Sequence, residues 1–235
     1  MHVLSGNVAE RASQPPLVSV STIVLALRPP EGATVPADGS APWIPLVQRN
    51  RPPFEGAWAI PGDVLTATQS LRDVAREALD SVTGTADGHL EQLHTFGEVG
   101  RSGRDRRHVT VTYWAMLAPS AASAGAIEGV AWFPLRDLPE LAFDHGMIIG
   151  HAVNRLAASA TIDELAPHLL DGEFTLAELR AVHESLMGHA LDPANFRRRM
   201  LATGTLAPTG TRRGGAHRPA ATYRFIDPSE QGGLP

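Results

Sequence analysis

One amphipathic helix behind a proline- and glycine-rich segment limits the folds open to this chain more than any other feature. The segment spans residues 52–62 and contains Pro52, Pro53, Gly56, Pro61 and Gly62. After it, apolar residues recur at the spacing of one helix face, and Thr83-Gly84 ends the pattern. The stripe consists of Leu71, Val74, Ala75, Ala78, Leu79 and Val82. It predicts a helix with one buried face.

Strand-like segments surround this helix. They cover residues 17–27, 43–49, 89–96, 108–117 and 129–133. A second helix is predicted over residues 144–158, with Ile148, Ile149, Val153 and Leu156 on its apolar side. We therefore expect an α/β domain over residues 17–160, preceded by a mobile arm at residues 1–16.

Length and composition indicate a folded protein with one domain and a smaller second one. The chain has 235 residues, of which 43% are hydrophobic and 19% charged. The absence of cysteine excludes disulfides, thiol nucleophiles and cysteine zinc sites. The apolar run at residues 17–27 contains Ser19, Ser21 and Thr22 and is too short for a membrane span. We expect a cytoplasmic protein without a membrane partner.

The net charge of −5 hides an uneven distribution. Residues 1–172 hold 12 arginines and 19 acidic residues, a net charge of −7. Residues 173–225 hold 8 arginines and 4 acidic residues, a net charge of +4. All 20 basic residues are arginine. The basic part of the chain is C-terminal, which favours nucleic acid as its partner.

Residues 161–226 have the order of elements of a winged helix-turn-helix. Thr175 and Glu178 form a capping box before a helix that Gly188 ends. Asp192 and Pro193 then begin a helix over residues 194–203. Two strands, residues 206–209 and 221–225, flank a basic tip at residues 210–218. A tail follows at residues 227–235.

The second helix of this unit is the predicted recognition helix. Phe196, Met200 and Leu201 are expected to face inward, and asparagine and arginine are the side chains that recognise adenine and guanine in the major groove. Arginines of the wing suit phosphates or a minor groove. The candidate DNA-binding residues are Thr175, Asn195, Arg197, Arg198, Arg199, Arg212, Arg213, His217 and Arg218.

The first helix and its flanks resemble the Nudix hydrolase box, whose glutamates hold Mg²⁺ on a diphosphate. In an ungapped match over residues 63–85, the three catalytic glutamates become Ala78, Ser81 and Val82. Alanine and valine offer no oxygen to a divalent cation, so we predict neither a metal site nor effective hydrolysis. A register shifted by one residue instead recovers Glu77 and Asp80. Together with Asp73, they are more simply explained as a solvated helix face.

The segments around the box can still bind ADP-ribose or a related nucleotide, as the corresponding segments of Nudix hydrolases of ADP-ribose do. An arginine fork suits a diphosphate, and Trp58 or Phe96 could stack on an adenine or a ribose. Arg104 and Arg106 belong to the same arginine-rich loop. The candidate effector-binding residues are Arg49, Arg51, Trp58, Pro61, Gly62, Phe96, Arg101 and Arg107.

Over residues 17–225 the chain resembles the NrtR family, the Nudix-related transcriptional regulators of NAD metabolism. The resemblance rests on TFG at 95–97, WFPL at 132–135, LAFDH at 141–145, FTLAEL at 174–179, NFRRR at 195–199 and GGAHRP at 214–219. It implies a Nudix-like α/β/α sandwich with a mixed sheet, followed by a winged helix-turn-helix. It also implies a homodimeric repressor of NAD biosynthesis or salvage genes, bound to a palindromic operator in double-stranded DNA.

The resemblance further implies ADP-ribose or NAD as the effector ligand, with no resident cofactor. Two alternatives remain. One is a pyrophosphohydrolase of ADP-ribose or a related dinucleotide that uses Glu77 and Asp80. The other is a nucleotide-binding adaptor without DNA contact, which the basic C-terminal charge disfavours.

Overall fold

The computed structural model describes residues 15–28, 41–101, 106–123, 126–156, 159–214 and 219–226. It contains a large N-terminal sheet and a small C-terminal one. The strands of the large sheet are β1 Leu17–Arg28, β2 Ala41–Gln48, β3 Trp58–Ala59, β4 Gly62–Val64, β5 His89–Phe96, β6 His108–Leu117 and β7 Val130–Pro134. None of the helices in these ranges has the length and the apolar composition of a membrane span.

The large sheet is mixed, as expected. Its main strand order is β3-β2-β1-β6-β5, while β4 also pairs with β1 and β7 with β2. The central pair β1 and β6 is parallel, and the other pairs are antiparallel. The parallel strands β1 and β6 begin side by side, and the antiparallel strand β4 ends next to the start of β1, so these three strand termini lie together at one end of the sheet.

Helix α1, Leu71–Thr83, forms where the apolar stripe predicted it. Ser70 and Asp73 build a capping box at its start, and Gly84 adopts φ 70° at its end, a conformation that glycine adopts at little cost. The stripe packs on one face of the sheet against Val20, Val24 and Val111. Helix α2, His145–Leu156, packs on the opposite face. The two helices make the N-terminal half an α/β/α sandwich.

The C-terminal part is the predicted winged helix-turn-helix. It contains α3 Ser159–Leu165, a 3₁₀ turn Ala166–Leu169, α4 Leu176–Met187 and α5 Pro193–Ala202. The wing is a three-stranded sheet of β8 Phe174–Thr175, β9 Leu206–Arg213 and β10 Ala220–Phe225, in the order β8-β10-β9.

The buried apolar residues form two clusters, one on each face of the large sheet. One of these clusters also includes residues of the C-terminal part. On the α2 side, Ile23, Leu25 and Trp114 belong to the same buried cluster as Phe174 and Phe196. The reason is the period of two along β1 and β6, which sends alternate residues to opposite faces. The winged helix-turn-helix therefore shares a core with the sheet.

Several local predictions need correction. The predicted boundary after residue 160 falls inside α3, where Ile162 and Leu165 are buried. Strand β9 continues to Arg213, so residues 210–213 are strand and not wing tip. Leu201 is 42% exposed and Val153 is 39% exposed, because each lies at the rim of its helix's buried face.

Candidate functional site

A cavity of about 430 Å³ opens at the end of the sheet where β1 and β6 begin and β4 ends. Its size lies in the range of small-molecule sites. Its lining comes from separate parts of the chain, which include β1, the turn after β2, β4, the start of β6 with Arg101 before it, and the loop that leads into α2. Its main polar and charged lining residues are Ser19, Ser21, Arg49, Arg51, Asp63, Arg101, His108, Thr110, Asp144 and His145.

A chain of hydrogen bonds holds one wall of this cavity. The Arg101 guanidinium donates two bonds to the Asp144 carboxylate, at 2.7 and 3.0 Å, and a third to Thr110 Oγ1 at 2.8 Å. Thr110 Oγ1 lies 3.1 Å from Ser19 Oγ, which in turn lies 2.9 Å from His108 Nε2. The Arg101 side chain is only 8% exposed. It therefore acts as a fixed part of the wall.

His145, the first residue of α2, is held in one tautomer. Its Nδ1 accepts a hydrogen bond from the Ile60 N–H at 3.0 Å, so the ring proton lies on Nε2. Burial, and then Arg101, Arg49 and His108, lower the pKa of His145 to about 4, although Asp144 opposes the shift. A neutral imidazole that donates through Nε2 thus lines the cavity near neutral pH.

Four of the eight candidate effector residues line this cavity: Arg49, Arg51, Gly62 and Arg101. Gly62 belongs to β4, which lies so close to β1 that a Cβ on it would be 2.2 Å from the Val20 carbonyl oxygen. Only glycine fits this approach.

The other four candidates lie outside the lining, each for a packing reason. Trp58 packs edge-on against Phe133 at 4.9 Å, and Pro61 is buried with its carbonyl bound to the Thr22 N–H. Phe96 is a core residue, 4% exposed. Arg107 donates to the Gly97 carbonyl at 2.7 Å. Arg104 lies outside the described residues, and Arg106 donates to the Pro15 carbonyl.

Sequence reasoning assigned no role to Phe143, Asp144, His145 and the polar residues of β1 and β6. Phe143, Asp144 and His145 belong to the LAFDH string, which was noted only as part of the family resemblance. That these residues line one cavity together with Arg49 depends on the pairing of distant segments.

The acidic residues of α1 lie away from this cavity's lining. Asp73, Glu77 and Asp80 are exposed, as the solvated-face interpretation predicts. The Asp73 carboxylate accepts from the Ser70 N–H in the capping box, and these Ser70 hydrogen bonds lower the pKa of Asp73. Glu77 accepts a hydrogen bond from Gln69 at 2.7 Å. Among the described residues, no group of three histidines or carboxylates is arranged to hold a metal ion.

Helix α5 carries the second candidate site. Asp192 caps it by accepting from the Asn195 N–H at 2.8 Å, and Phe196 and Met200 anchor it in the core. Asn195, Arg197 and Arg198 are exposed. Arg198 donates to Asn195 Oδ1 at 2.9 Å, so the two side chains lie side by side. This exposed set, Asn195, Arg197 and Arg198, is called the reading face below.

The Arg199 side chain is partly exposed, and it also contacts α3 and α4. Its Nη2 lies 3.7 Å from Asp163 Oδ1 of α3 and 3.4 Å from His183 Nδ1 of α4, and its guanidinium lies 5.6 Å from the Phe196 ring. Burial, and then Arg199, lower the pKa of His183 to about 4, while Asp163 opposes the shift. Arg199 therefore ties α5 to α3 and α4.

Two wing-side candidates are also engaged within the protein. Arg213 forms an ion pair with Glu178 at 2.5 Å and donates to the Glu173 carbonyl at 2.9 Å. Thr175 is 7% exposed, and its hydroxyl is used in the capping box with Glu178. Arg212 is exposed, and among the described residues it forms no ion pair. His217 and Arg218 lie outside the described residues.

Comparisons with known proteins give matches to one protein family, both for the C-terminal part and for most of the chain. A family model described as the NrtR DNA-binding winged helix domain matches residues 166–225. The ADPR responsive transcriptional repressor NtrR of Acinetobacter baylyi is 34% identical over 186 residues, which are 77% of this chain and 74% of that protein.

Solved structures agree over nearly the whole length. The crystal structure of Shewanella oneidensis NrtR superposes with a TM-score of 0.74 at 32% identity, covering 89% of this chain and 94% of that one. The same protein complexed with a 27mer DNA superposes with a TM-score of 0.73 at 29% identity, covering 91% and 95%. The similarity extends over both the mixed-sheet domain and the winged helix-turn-helix.

Proposed function

Since this chain belongs to the NrtR family of transcriptional regulators, we propose that it represses genes of NAD biosynthesis or salvage. It binds their operators through α5 and the wing. A nucleotide in the N-terminal cavity modulates that binding. The protein acts in the cytoplasm as a homodimer, and its two reading faces contact the two halves of a palindromic operator, because twofold protein symmetry imposes twofold symmetry on the DNA.

The reading face is the observation that carries this proposal. Asn195, Arg197 and Arg198 are exposed on a capped helix whose opposite side is anchored in the core by Phe196 and Met200. Asparagine and arginine match the edges of adenine and guanine, and α5 follows α4 across a tight turn. A rigid helix with this surface is suited to the major groove.

ADP-ribose is the proposed effector, with NAD as the other candidate. The Acinetobacter relative is named as ADPR responsive, and the cavity of this chain offers Arg49 and Arg51 to a diphosphate. Arg101 is paired with Asp144 and nearly buried, whereas Arg49 and Arg51 bring two further positive charges to the lining, which suit the charge of a diphosphate.

A gel shift tests the DNA part of the proposal. The probe is the DNA upstream of this gene and of neighbouring NAD genes. Replacing Asn195, Arg197 and Arg198 together with alanine should abolish the shift. Arg72→Ala, which removes an exposed arginine from α1, is the matched control and should leave it unchanged. Unchanged binding by the triple variant would reject α5 as the reading helix.

Titrating nucleotide with and without operator tests the regulatory part. A nucleotide changes the affinity for DNA only if it binds the DNA-competent and the DNA-incompetent conformation of the protein with different affinities. DNA must then change the affinity for the nucleotide by the same factor. Arg51→Ala should weaken nucleotide binding, while Arg72→Ala should not. Identical nucleotide affinities in the presence and absence of operator would end the regulatory proposal.

We also propose that the chain does not hydrolyse its ligand effectively. Ala78, Ser81 and Val82 stand where the Nudix box has glutamates, and Glu77 is hydrogen-bonded to Gln69 on the exposed side of α1. An assay for AMP and ribose 5-phosphate from ADP-ribose, with and without Mg²⁺, checks this. Nucleotide affinity should be the same in EDTA. Mg²⁺-dependent turnover that Glu77→Gln removes would instead support a hydrolase.

A further inference from the structure

Two phenylalanines at the cavity have backbone conformations that phenylalanine rarely adopts. Phe143 lines the cavity, and Phe54 lies beside it with a ring centroid distance of 4.8 Å and an interplanar angle of 61°. Phe54 has φ 63° and Phe143 has φ 54°, both in the left-handed region. For a bulky residue this region costs free energy that the surrounding structure must offset.

Backbone hydrogen bonds link the loop of Phe54 to the loop of Phe143. The Phe54 carbonyl accepts from the Ala57 N–H at 3.2 Å, in the turn that leads into Trp58. The Trp58 carbonyl accepts from the Ala142 N–H at 2.8 Å, next to Phe143. The loop of Phe54 and the loop of Phe143 are thus joined through Trp58.

Packing does not account for the aromatic ring at position 54. Its relative exposure is 51%, the largest of the described phenylalanines. Glycine would adopt φ 63° at lower cost, and the exposed ring contributes only part of its surface to the fold. A large apolar side chain that is both exposed and conformationally costly, beside a ligand cavity, indicates a role in ligand binding.

Arg49 extends this aromatic surface. Its guanidinium lies 4.7 Å from the centre of the Phe143 ring, and its Nε donates to the Pro53 carbonyl at 2.9 Å. An aromatic surface next to an arginine suits a nucleotide, whose base stacks on rings and whose phosphates pair with guanidinium groups. The hydroxyls of Ser19 and Thr110, at another wall, suit the hydroxyls of a sugar.

We propose that Phe54 and Phe143 form the stacking subsite for the planar base of the nucleotide. The diphosphate then lies against Arg49 and Arg51, and the sugar distal to the base lies toward Ser19 and Thr110. This inference rests on the proposed function, because it assumes that the effector is a nucleotide. It also relocates the stacking residue from Trp58 or Phe96, which packing withdraws from the cavity.

Two variants of Phe54 separate ligand binding from folding. Phe54→Ala should weaken ADP-ribose binding about tenfold or more, the usual effect of losing one base-stacking ring. Phe54→Gly should weaken binding equally while its Tm equals or exceeds that of the wild type, because glycine relieves the strained φ. Phe54→Trp should restore affinity. Val99→Ala, which shortens an exposed apolar side chain elsewhere, is the matched control.

Isothermal titration with ADP-ribose, AMP and ribose 5-phosphate completes the test. Loss of the Phe54 ring should weaken ADP-ribose and AMP, which carry the base, and leave ribose 5-phosphate unchanged. Equal losses for all three ligands, or a lower Tm for Phe54→Gly, would assign the ring a structural role and overturn the inference. If the wild type binds ADP-ribose and the Phe54 variants bind equally well, only the stacking subsite is wrong. If the wild type binds no nucleotide, the proposed function fails as well.

Discussion

Neighbouring arginines of the winged helix-turn-helix differ in their interactions with other side chains of the protein. Arg198 is exposed beside Asn195, and Arg212 is exposed on β9. Arg199 and Arg213, one residue further along, are tied to Asp163 and Glu178. Adjacent positions on a helix or strand point in different directions. Residue type alone therefore did not distinguish the arginines without an ion pair among the described residues from those that are paired within the protein.

We propose that Arg212 contacts one phosphate of the operator. Arg212→Ala should then weaken operator binding and lower the slope of log affinity against log salt by about 1. The measurement is operator affinity at several salt concentrations. Arg72→Ala serves again as the control that removes the same charge. A slope equal to that of the wild type would show that Arg212 does not contact a phosphate.

We propose that the ion pair between Arg213 and Glu178 positions the wing. Glu178→Gln should then weaken operator binding, as Arg213→Ala should. Glutamine keeps the capping-box geometry and removes the charge. Because the pair is half-exposed, its loss should lower the free energy of unfolding by no more than about 1 kcal/mol. If Arg213 instead contacts a phosphate directly, Glu178→Gln will leave affinity unchanged or raise it.

Among the elements, the three-residue strand β4 supplies one side of the cavity lining. It pairs antiparallel with β1, with Gly62 opposite Ser21, and brings Asp63 into the lining. Sequence patterns predicted α1 and its glycine stop, since a period of 3.6 residues and a capping residue are local signals. They did not predict β4, because a three-residue strand has no period and depends on its partner.

Gly62→Ala should destabilise the protein by about 2 kcal/mol or more, because its Cβ would overlap the Val20 carbonyl and overpacking against backbone is costly. The same variant should weaken nucleotide binding by displacing β4. Gly150→Ala in α2 is the matched control. Its Cβ meets no atom within 4 Å, and alanine favours a helix by about 0.5–1 kcal/mol over glycine. Urea unfolding of both variants checks this. Equal stability of the two would contradict the close approach.

For the whole molecule, the shared core offers a physical link between the proposed nucleotide cavity and the proposed reading helix α5. Ile148 and Ile149 of α2, whose first residue His145 lines the cavity, lie in the same cluster as Leu179 of α4 and Phe196 of α5. Packed cores change between discrete arrangements and resist gradual deformation. A shift of α2 thus has a direct physical route to α5.

Stability of the whole molecule should depend on pH through three histidines. Burial is the main cause that lowers the pKa of each of His145, His168 and His183 to about 4, and His89, stacked at 3.7 Å, adds to the shift of His168. Because the folded-state pKa of each ring lies below its unfolded value of 6.5, each neutral ring contributes to the free energy of unfolding. This contribution is complete above about pH 6.5 and is lost as the pH falls toward 4.

Urea unfolding at pH 7, 6 and 5 tests this dependence. The free energy of unfolding should fall by about 2 kcal/mol or more between pH 7 and 5, since one pKa unit corresponds to about 1.4 kcal/mol per group. His168→Gln should make the decline shallower. A constant free energy over this range would show that the three rings are protonated as easily in the folded chain as in the unfolded one.

The amino-acid sequence by itself determined what depends on near neighbours along the chain. The apolar stripe of α1, the capping box at Thr175 and the charge contrast between the two parts are local or summed properties, and they indicated both domains. Short motif strings carried the resemblance to the family. Only the tertiary structure decided which side chains meet. Ile60 binds His145, Glu178 holds Arg213 and Phe54 meets Phe143 across separations of 35 to 89 residues. Such pairs depend on how sheets and helices pack, and no periodic pattern encodes them.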